Sequence, residues 1–129
     1  MSAPDRVVFE YAILRVVPRV ERGECLNVGV LVYCQPAELL VAAVHLDRTR
    51  LAALAPDLDL DAVQQALEGV HRVCMGGAEA GPAAESSLGQ RFRWLTSPRS
   101  TMVQTGPAHA GLTADPVTEP ERLLDLLVR

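Results

Sequence analysis

The first half of the chain alternates apolar runs with short polar breaks, a pattern typical of β-strands. Residues 7–17 are rich in β-branched and aromatic side chains and stop at Pro18, which predicts a strand. Both alternating faces of this strand are largely apolar, so we expect it to be central in a sheet. Further apolar runs cover residues 27–34 and 39–45, and the turn residues 35–38 between them predict an antiparallel hairpin. The first half is therefore predicted to be a β-meander.

Beyond residue 46 the apolar positions recur at spacings of three and four, which indicates helices. Asp47 is a suitable cap for a two-turn helix that Pro56 closes. A longer helix is predicted from Asp59 or Asp61 to Met75, with an apolar stripe that can pack on the sheet.

The remaining segments are less uniform. Residues 76–87 are rich in Gly, Pro, Ala and Glu and predict a mobile loop, residues 88–95 fit either a helix or a strand, and residues 101–105 predict a fourth strand. Thr118 and Glu121 have the spacing of a capping box, which predicts a C-terminal helix that packs back on the sheet.

This order of elements predicts an α+β fold. We expect a mostly antiparallel sheet of about four strands, with two to three helices packed on one face. The 129 residues fit a single domain spanning residues 1–129.

Composition narrows the function classes. The chain is 49% hydrophobic and 4% aromatic, with a net charge of -4, which argues against a general nucleic-acid binder. Cys25, Cys34 and Cys74 show no paired spacing, and the start of the chain has no secretory pattern, so we expect a cytoplasmic protein. No apolar run is long enough for a membrane span. We expect neither a metal site nor a cofactor.

Charge is distributed unevenly along the chain. Residues 86–114 contain three arginines and no acidic residue, although the chain as a whole is acidic. Guanidinium, hydroxyl and amide groups together suit an anion, so one interpretation is a phosphate or carboxylate clamp at Arg99 and Ser100. In the alternative, the arginines pair with acids elsewhere, and the hydroxyl residues shape turns around Pro98.

A second polar cluster lies in the connection after the first predicted strand. Its members are Arg19, Glu21, Arg22, Glu24 and Asn27. The alternative interpretation is a solvated turn. Gly29, inside the next apolar run, marks a bulge or a close approach of another backbone.

Four strings carry a resemblance to a known family. They are Y-A-I-L-R-V-V-P-R-V-E-R-G-E at residues 11–24, N-V-G-V-L-V-Y-C at 27–34, R-F-R-W-L-T-S-P-R-S-T at 91–101 and Q-T-G-P-A-H-A-G-L-T-A-D-P at 104–116. On these strings the chain resembles the bacterial DUF3037 family of domains of unknown function. The resemblance implies a small stand-alone bacterial protein without assigned biochemistry. Some members are encoded beside HipA-like kinase genes, which implies such a kinase as a partner.

The polar strings coincide with the two clusters, so we expect their side chains to line one surface. The expected ligand-binding residues are Arg19, Glu21, Arg22, Asn27, Arg91, Arg99, Ser100, Gln104, His109 and Asp115. In an alternative interpretation, Asp115 simply ends a loop before the last helix.

Two functions follow from these residues. The first hypothesis is an interaction or regulatory module that binds a partner protein through this surface and Trp94. The second is a small-molecule-binding protein or an enzyme acting on a phosphorylated or carboxylated ligand. In that case Arg91 and Arg99 hold the anion, and His109 acts as acid or base.

Overall fold

The computed structural model describes residues 5–76, 86–99 and 101–129. The strands are β1 (Val7–Val16), β2 (Leu26–Cys34), β3 (Leu39–Val44), β4 (Val103–Thr105) and β5 (His109–Thr113). The helices are α1 (Arg48–Leu54), α2 (Leu60–Met75), α3 (Leu88–Thr96) and α4 (Glu119–Leu127), with a 3-10 turn at Pro116–Thr118. The predicted mobile loop falls largely on residues 77–85, which lie outside the described residues.

The strands form one antiparallel sheet in the order β3-β2-β1, and both β4 and β5 pair with the other edge of β1. This confirms the prediction that the first strand is central. Thr105 lies opposite Leu14 and His109 lies opposite Tyr11, so the edge strand has one residue more than β1 between these two pairs. The backbone N–H of Gly106 still donates to the Ile13 carbonyl at 2.8 Å, which keeps the interrupted edge attached. The strand β5 was not predicted.

Gly29 marks an irregularity in the β1–β2 pairing. The register shifts between Leu14 and Arg15, where Leu14 pairs with Gly29 and Arg15 pairs with Asn27. A Cβ atom at Gly29 would lie 2.6 Å from the carbonyl oxygen of Ala43 in β3. Both predicted interpretations of this glycine, a bulge and a close backbone approach, are therefore confirmed.

Alternate residues of β2 belong to two different hydrophobic layers. Leu31 packs with α1, α2 and α3, in a layer that includes Leu51, Leu67 and Phe92. Val30 and its neighbours on the same face pack with α4. Since successive side chains of a strand point to opposite faces, three helices cover one face and α4 covers the other. The predicted arrangement of helices on one face is confirmed, and α4 adds a second layer.

The segment that fitted either a helix or a strand is the helix α3. Its first turn carries a reciprocal capping box. The Gln90 N–H donates to the Ser87 hydroxyl at 3.2 Å, and the Ser87 N–H donates to the Gln90 side chain at 3.0 Å. This local chemistry settles the helix.

The capping box predicted at Thr118 and Glu121 is wrong. Thr118 makes no side-chain capping bond, because its hydroxyl donates to the Asp115 carbonyl at 3.0 Å in the preceding 3-10 turn. The helix α4 is instead anchored by Glu119, a buried residue whose carboxylate accepts from the Thr113 hydroxyl at 2.9 Å and from Arg122. The 3-10 turn occupies the position where a direct cap would act.

Candidate functional site

The β1–β2 connection neutralises its own charges. Arg19 Nε donates to Glu21 Oε1 at 2.8 Å, and Arg22 Nε donates to the Glu24 carboxylate. A hydrogen bond from its own backbone, followed by the one from Arg19, lowers the pKa of Glu21, and the Arg22 hydrogen bond lowers the pKa of Glu24. These side chains are exposed, so each pair contributes little to stability.

A cavity of about 460 Å³ lies between this connection and the link from α1 to α2. Arg19 and Arg22 form one wall, and Leu54 and Leu58 belong to the other. The described residues that line it include neither of the arginines 91 and 99. The cavity therefore does not gather the guanidinium groups expected to hold an anion.

Arg91 joins two helices. Its Nη1 atom donates to the carbonyl oxygens of Val73 and Cys74 at the end of α2, both at 2.9 Å. Carbonyls at the end of a helix lack partners within that helix, and a cation there also faces the negative end of the helix dipole. Burial raises the pKa of the Cys74 thiol to about 11, and the Arg91 charge only partly opposes this. Arg91 thus has a structural partner for its charge.

Arg99 lies on the indole ring of Trp94. Its guanidinium carbon is 4.1 Å from the ring centroid, and the side chain also donates to the Trp94 carbonyl. Phe92 on the same helix is buried and stacks on Tyr33, whereas the Trp94 side chain faces solvent. Ser100, the expected partner of Arg99 in anion binding, lies outside the described residues.

A row of polar side chains crosses the α4 face of the sheet. Arg15 in β1 pairs with Asn27 in β2 on one side and with Gln104 in β4 on the other. The neighbours Leu14 and Val16 belong to the opposite layer, so Arg15 points to the α4 face. The Asn27 amide donates to the Leu127 carbonyl at the end of α4, at 3.2 Å. We call Asn27, Arg15 and Gln104 the sheet-face row.

His109 lies on the same face, farther along β1. It pairs with Tyr11, and their ring centroids are 5.4 Å apart. Asp115 does not join them. It shapes the turn before α4, since its N–H donates to the Thr113 hydroxyl at 3.0 Å and its carbonyl accepts from Thr118. These bonds agree with the alternative interpretation, in which Asp115 ends a loop before the last helix.

The structure does not bring all ten expected residues to one surface. Three of them, Asn27, Gln104 and His109, share the α4 face of the sheet. The others with described positions lie in the β1–β2 connection, against the end of α2, on Trp94 and in the turn before α4.

Sequence reasoning missed Tyr11 and Arg15, which complete the group on the α4 face. Both residues belong to the string at 11–24 that carries the family resemblance. They are four positions apart in a predicted strand, and such positions point to the same face of a sheet. Knowledge of the pairing of β1 with β4 and β5 was needed to connect them with Gln104 and His109.

Within residues 5–76, 86–99 and 101–129, no group of three or more His, Cys, Asp or Glu side chains could hold a metal ion. In the same ranges, every helix is too short or too polar to cross a membrane.

The fold and these side chains define an α+β protein whose antiparallel sheet carries helices on both faces. The family model described as "Protein of unknown function (DUF3037)" matches residues 11–128, so the chain belongs to this family. The resemblance drawn from the sequence strings is thereby confirmed. No curated protein and no solved structure matches the chain.

Proposed function

We propose that this protein is a non-enzymatic interaction module that binds a partner protein through the exposed face of α3 around Trp94. The main support is the exposure of Trp94, at 51% of its maximum, in a chain with a single tryptophan. An exposed indole forgoes the free energy that burial of so large an apolar surface supplies. Tryptophan is also among the residues that most often dominate binding energy at interfaces.

The surroundings of Trp94 fit a protein interface. Arg99 covers part of the ring, and the exposed Arg93 and Ser97 lie one residue before and three residues after the tryptophan. An aromatic anchor with arginine beside it and polar groups around it is the usual composition of an interface centre and rim. Contact with a partner would bury the ring and keep these polar groups at the margin.

The partner we propose is a HipA-like kinase encoded beside members of this family. This choice rests on the family association alone. A shared cytoplasmic location is part of the proposal, and the three free cysteines agree with a reducing compartment.

The alternative anion site at Arg91 and Arg99 receives no support from the geometry. Both guanidinium groups already donate to backbone carbonyls, and Arg99 also stacks on Trp94. A ligand there would have to displace these contacts.

Co-purification with the kinase encoded by the neighbouring gene tests the proposal. We expect the wild-type protein to capture the kinase and Trp94→Ala to weaken the complex by about thirtyfold or more, as for an interface hot spot. Val117→Ala is the matched control, since Val117 is 73% exposed in the 3-10 turn before α4, away from α3.

The outcomes separate the partner from the surface. Failure of the wild-type protein to bind the kinase rejects this partner. Equal binding by the wild type and Trp94→Ala, measured by titration calorimetry, rejects the α3 surface.

A further inference from the structure

We propose that the sheet-face row is a binding site for an oxyanion, the carboxylate or phosphate group of a small ligand, with Arg15 as its cation. The site lies on the α4 face of the sheet, whereas the surface proposed for the partner protein lies on a helix of the opposite layer. The two proposals are therefore independent.

Arg15 differs from the other arginines in its surroundings. Ten of the twelve arginines are exposed, and only Arg15 and Arg91 are partly buried. Arg91 donates to two carbonyl oxygens. Within the described part of the chain, the Arg15 side chain has neither a hydrogen-bond partner nor a carboxylate within ion-pair distance. Because its charge has no protein partner among the described residues, the Arg15 guanidinium is available to an external anion, whereas that of Arg91 is not.

The three carboxylates of α4, the helix on this face, already accept hydrogen bonds from other arginines. Glu119, at the start of α4, accepts two bonds from Arg122, which raise the pKa of that arginine. Glu121 and Asp125 both accept from Arg129. An added anion would thus meet an unpaired cation on this face.

Two amides occupy the strand positions on either side of Arg15 and are held in place. Asn27 Nδ2 donates to the Leu127 carbonyl at 3.2 Å, and Gln104 Nε2 donates to the Thr101 carbonyl at 2.8 Å. Each amide nitrogen keeps one further N–H, and adjacent strands are only about 4.8 Å apart. An oxyanion on Arg15 would therefore lie between two strands that each carry an amide donor, and such donors strengthen the binding of carboxylate and phosphate.

The margin of α4 leaves this row open. The helix packs mainly on β2 and β3, and Arg15 and Gln104 keep part of their surface accessible while His109 is exposed. The ring pair of Tyr11 and His109 lies four residues along β1, about 13 Å away. A ligand with an aromatic or polar body could extend from Arg15 toward these rings.

The test uses the full chain, with inorganic phosphate and acetate as separate probes, titrated at constant ionic strength and followed by amide NMR shifts. We expect at least one probe to shift the signals of residues 15, 27 and 104 in a saturable way. Arg15→Gln should weaken the binding of that probe by about tenfold or more, because a charge-assisted hydrogen bond is lost. Arg15→Lys keeps the positive charge but loses the planar guanidinium that can donate two parallel hydrogen bonds. Its affinity should therefore lie between those of the wild type and Arg15→Gln.

Two arginine variants serve as controls. Arg99→Gln removes the cation first expected to bind an anion, and Arg48→Gln removes an exposed arginine that pairs with Asp61. Both should bind like the wild type. Gln104→Ala leaves the Arg15 charge in place and should also weaken binding. It tests the site independently in case the Arg15 variants do not fold.

The site is rejected if neither probe shifts these signals, or if Arg15→Gln binds as tightly as the wild type. It is also rejected if Arg48→Gln weakens binding as much as Arg15→Gln, since that result indicates non-specific charge attraction. If Arg15→Gln weakens the binding of only one of the two probes, that probe is the oxyanion that the site prefers.

Discussion

The role of each polar residue here depends on its nearest partner more than on its charge. Arg91 and Arg99 lie in the same acid-free segment, yet one holds the end of α2 and the other covers Trp94. A count of charges along the chain registers both as free cations, because backbone carbonyls and aromatic rings carry no formal charge. The charge pattern therefore identified a basic segment without identifying which of its arginines are available.

Gly29 provides the sharpest prediction at the scale of one residue. An alanine Cβ there would meet the Ala43 carbonyl at 2.6 Å, and this atom belongs to a paired strand that cannot easily move. We expect Gly29→Ala to lower the free energy of unfolding by about 1–3 kcal/mol, as overpacking usually does. Urea unfolding followed by circular dichroism measures the change.

The control is a glycine-to-alanine substitution at a position where the added Cβ has room. Gly69 lies inside α2, and a Cβ there would touch only the flexible end of Arg72, at 3.7 Å. Gly69→Ala should raise the free energy of unfolding by roughly 0.5–1 kcal/mol, because alanine favours the helix. Similar effects of the two substitutions would contradict the close approach at Gly29.

At the scale of elements, Arg91 joins α3 to the end of α2. We expect Arg91→Met to lower the free energy of unfolding by about 1–3 kcal/mol, because two charge-assisted bonds to carbonyls are lost. Amide hydrogen exchange should also accelerate in the last turn of α2.

The neighbouring Arg93 is the matched control, since it is exposed and its side chain donates to the Gly89 carbonyl in its own helix. Arg93→Met should change stability by about 0.5 kcal/mol or less. Unchanged exchange at the end of α2 in Arg91→Met would show that α2 does not depend on this contact.

Most elements could be predicted from the sequence because their patterns are local. The first three strands, α1 and α2 follow from apolar spacing and from turn and cap residues, and the structure confirms them. The strand β5 was missed because H-A-G-L-T is short, contains glycine and follows Pro107 and Ala108, so only its pairing with β1 makes it a strand.

The site was less predictable than the elements. The apolar stripe of α4 shows that one side of the helix is buried, but it does not show which face of the sheet the helix covers. Likewise, Arg15 and Gln104 become neighbours only through the pairing of β1 with β4, across 89 residues of sequence. Local patterns do not contain such long-range pairings.

At the scale of the whole molecule, one sheet carries two hydrophobic layers. The interior strand β2 contributes Leu31 to the layer under α1, α2 and α3, and Val30 and Val32 to the layer under α4. Loss of either layer exposes one face of the same backbone. The two layers should therefore unfold together, in a single cooperative transition.

Paired leucine substitutions in α4 test this coupling. Leu124 is 1% exposed and Leu126 is 68% exposed, although both lie in the same helix. Leu124→Ala should lower the free energy of unfolding by about 2–5 kcal/mol, and Leu126→Ala by about 0.5 kcal/mol or less. Leu51→Ala, in the opposite layer, should lower the free energy of unfolding by as much as Leu124→Ala, since Leu51 is fully buried.

The decisive quantity is the shape of the transition. If the sheet couples the layers, Leu124→Ala and Leu51→Ala move the urea midpoint and leave the slope of the transition unchanged, whether it is followed by circular dichroism or by Trp94 fluorescence. Trp94 reports on α3, which lies on the face opposite α4. A Leu124→Ala protein in which the helical signal falls before the tryptophan signal would mean that α4 is a separately unfolding layer.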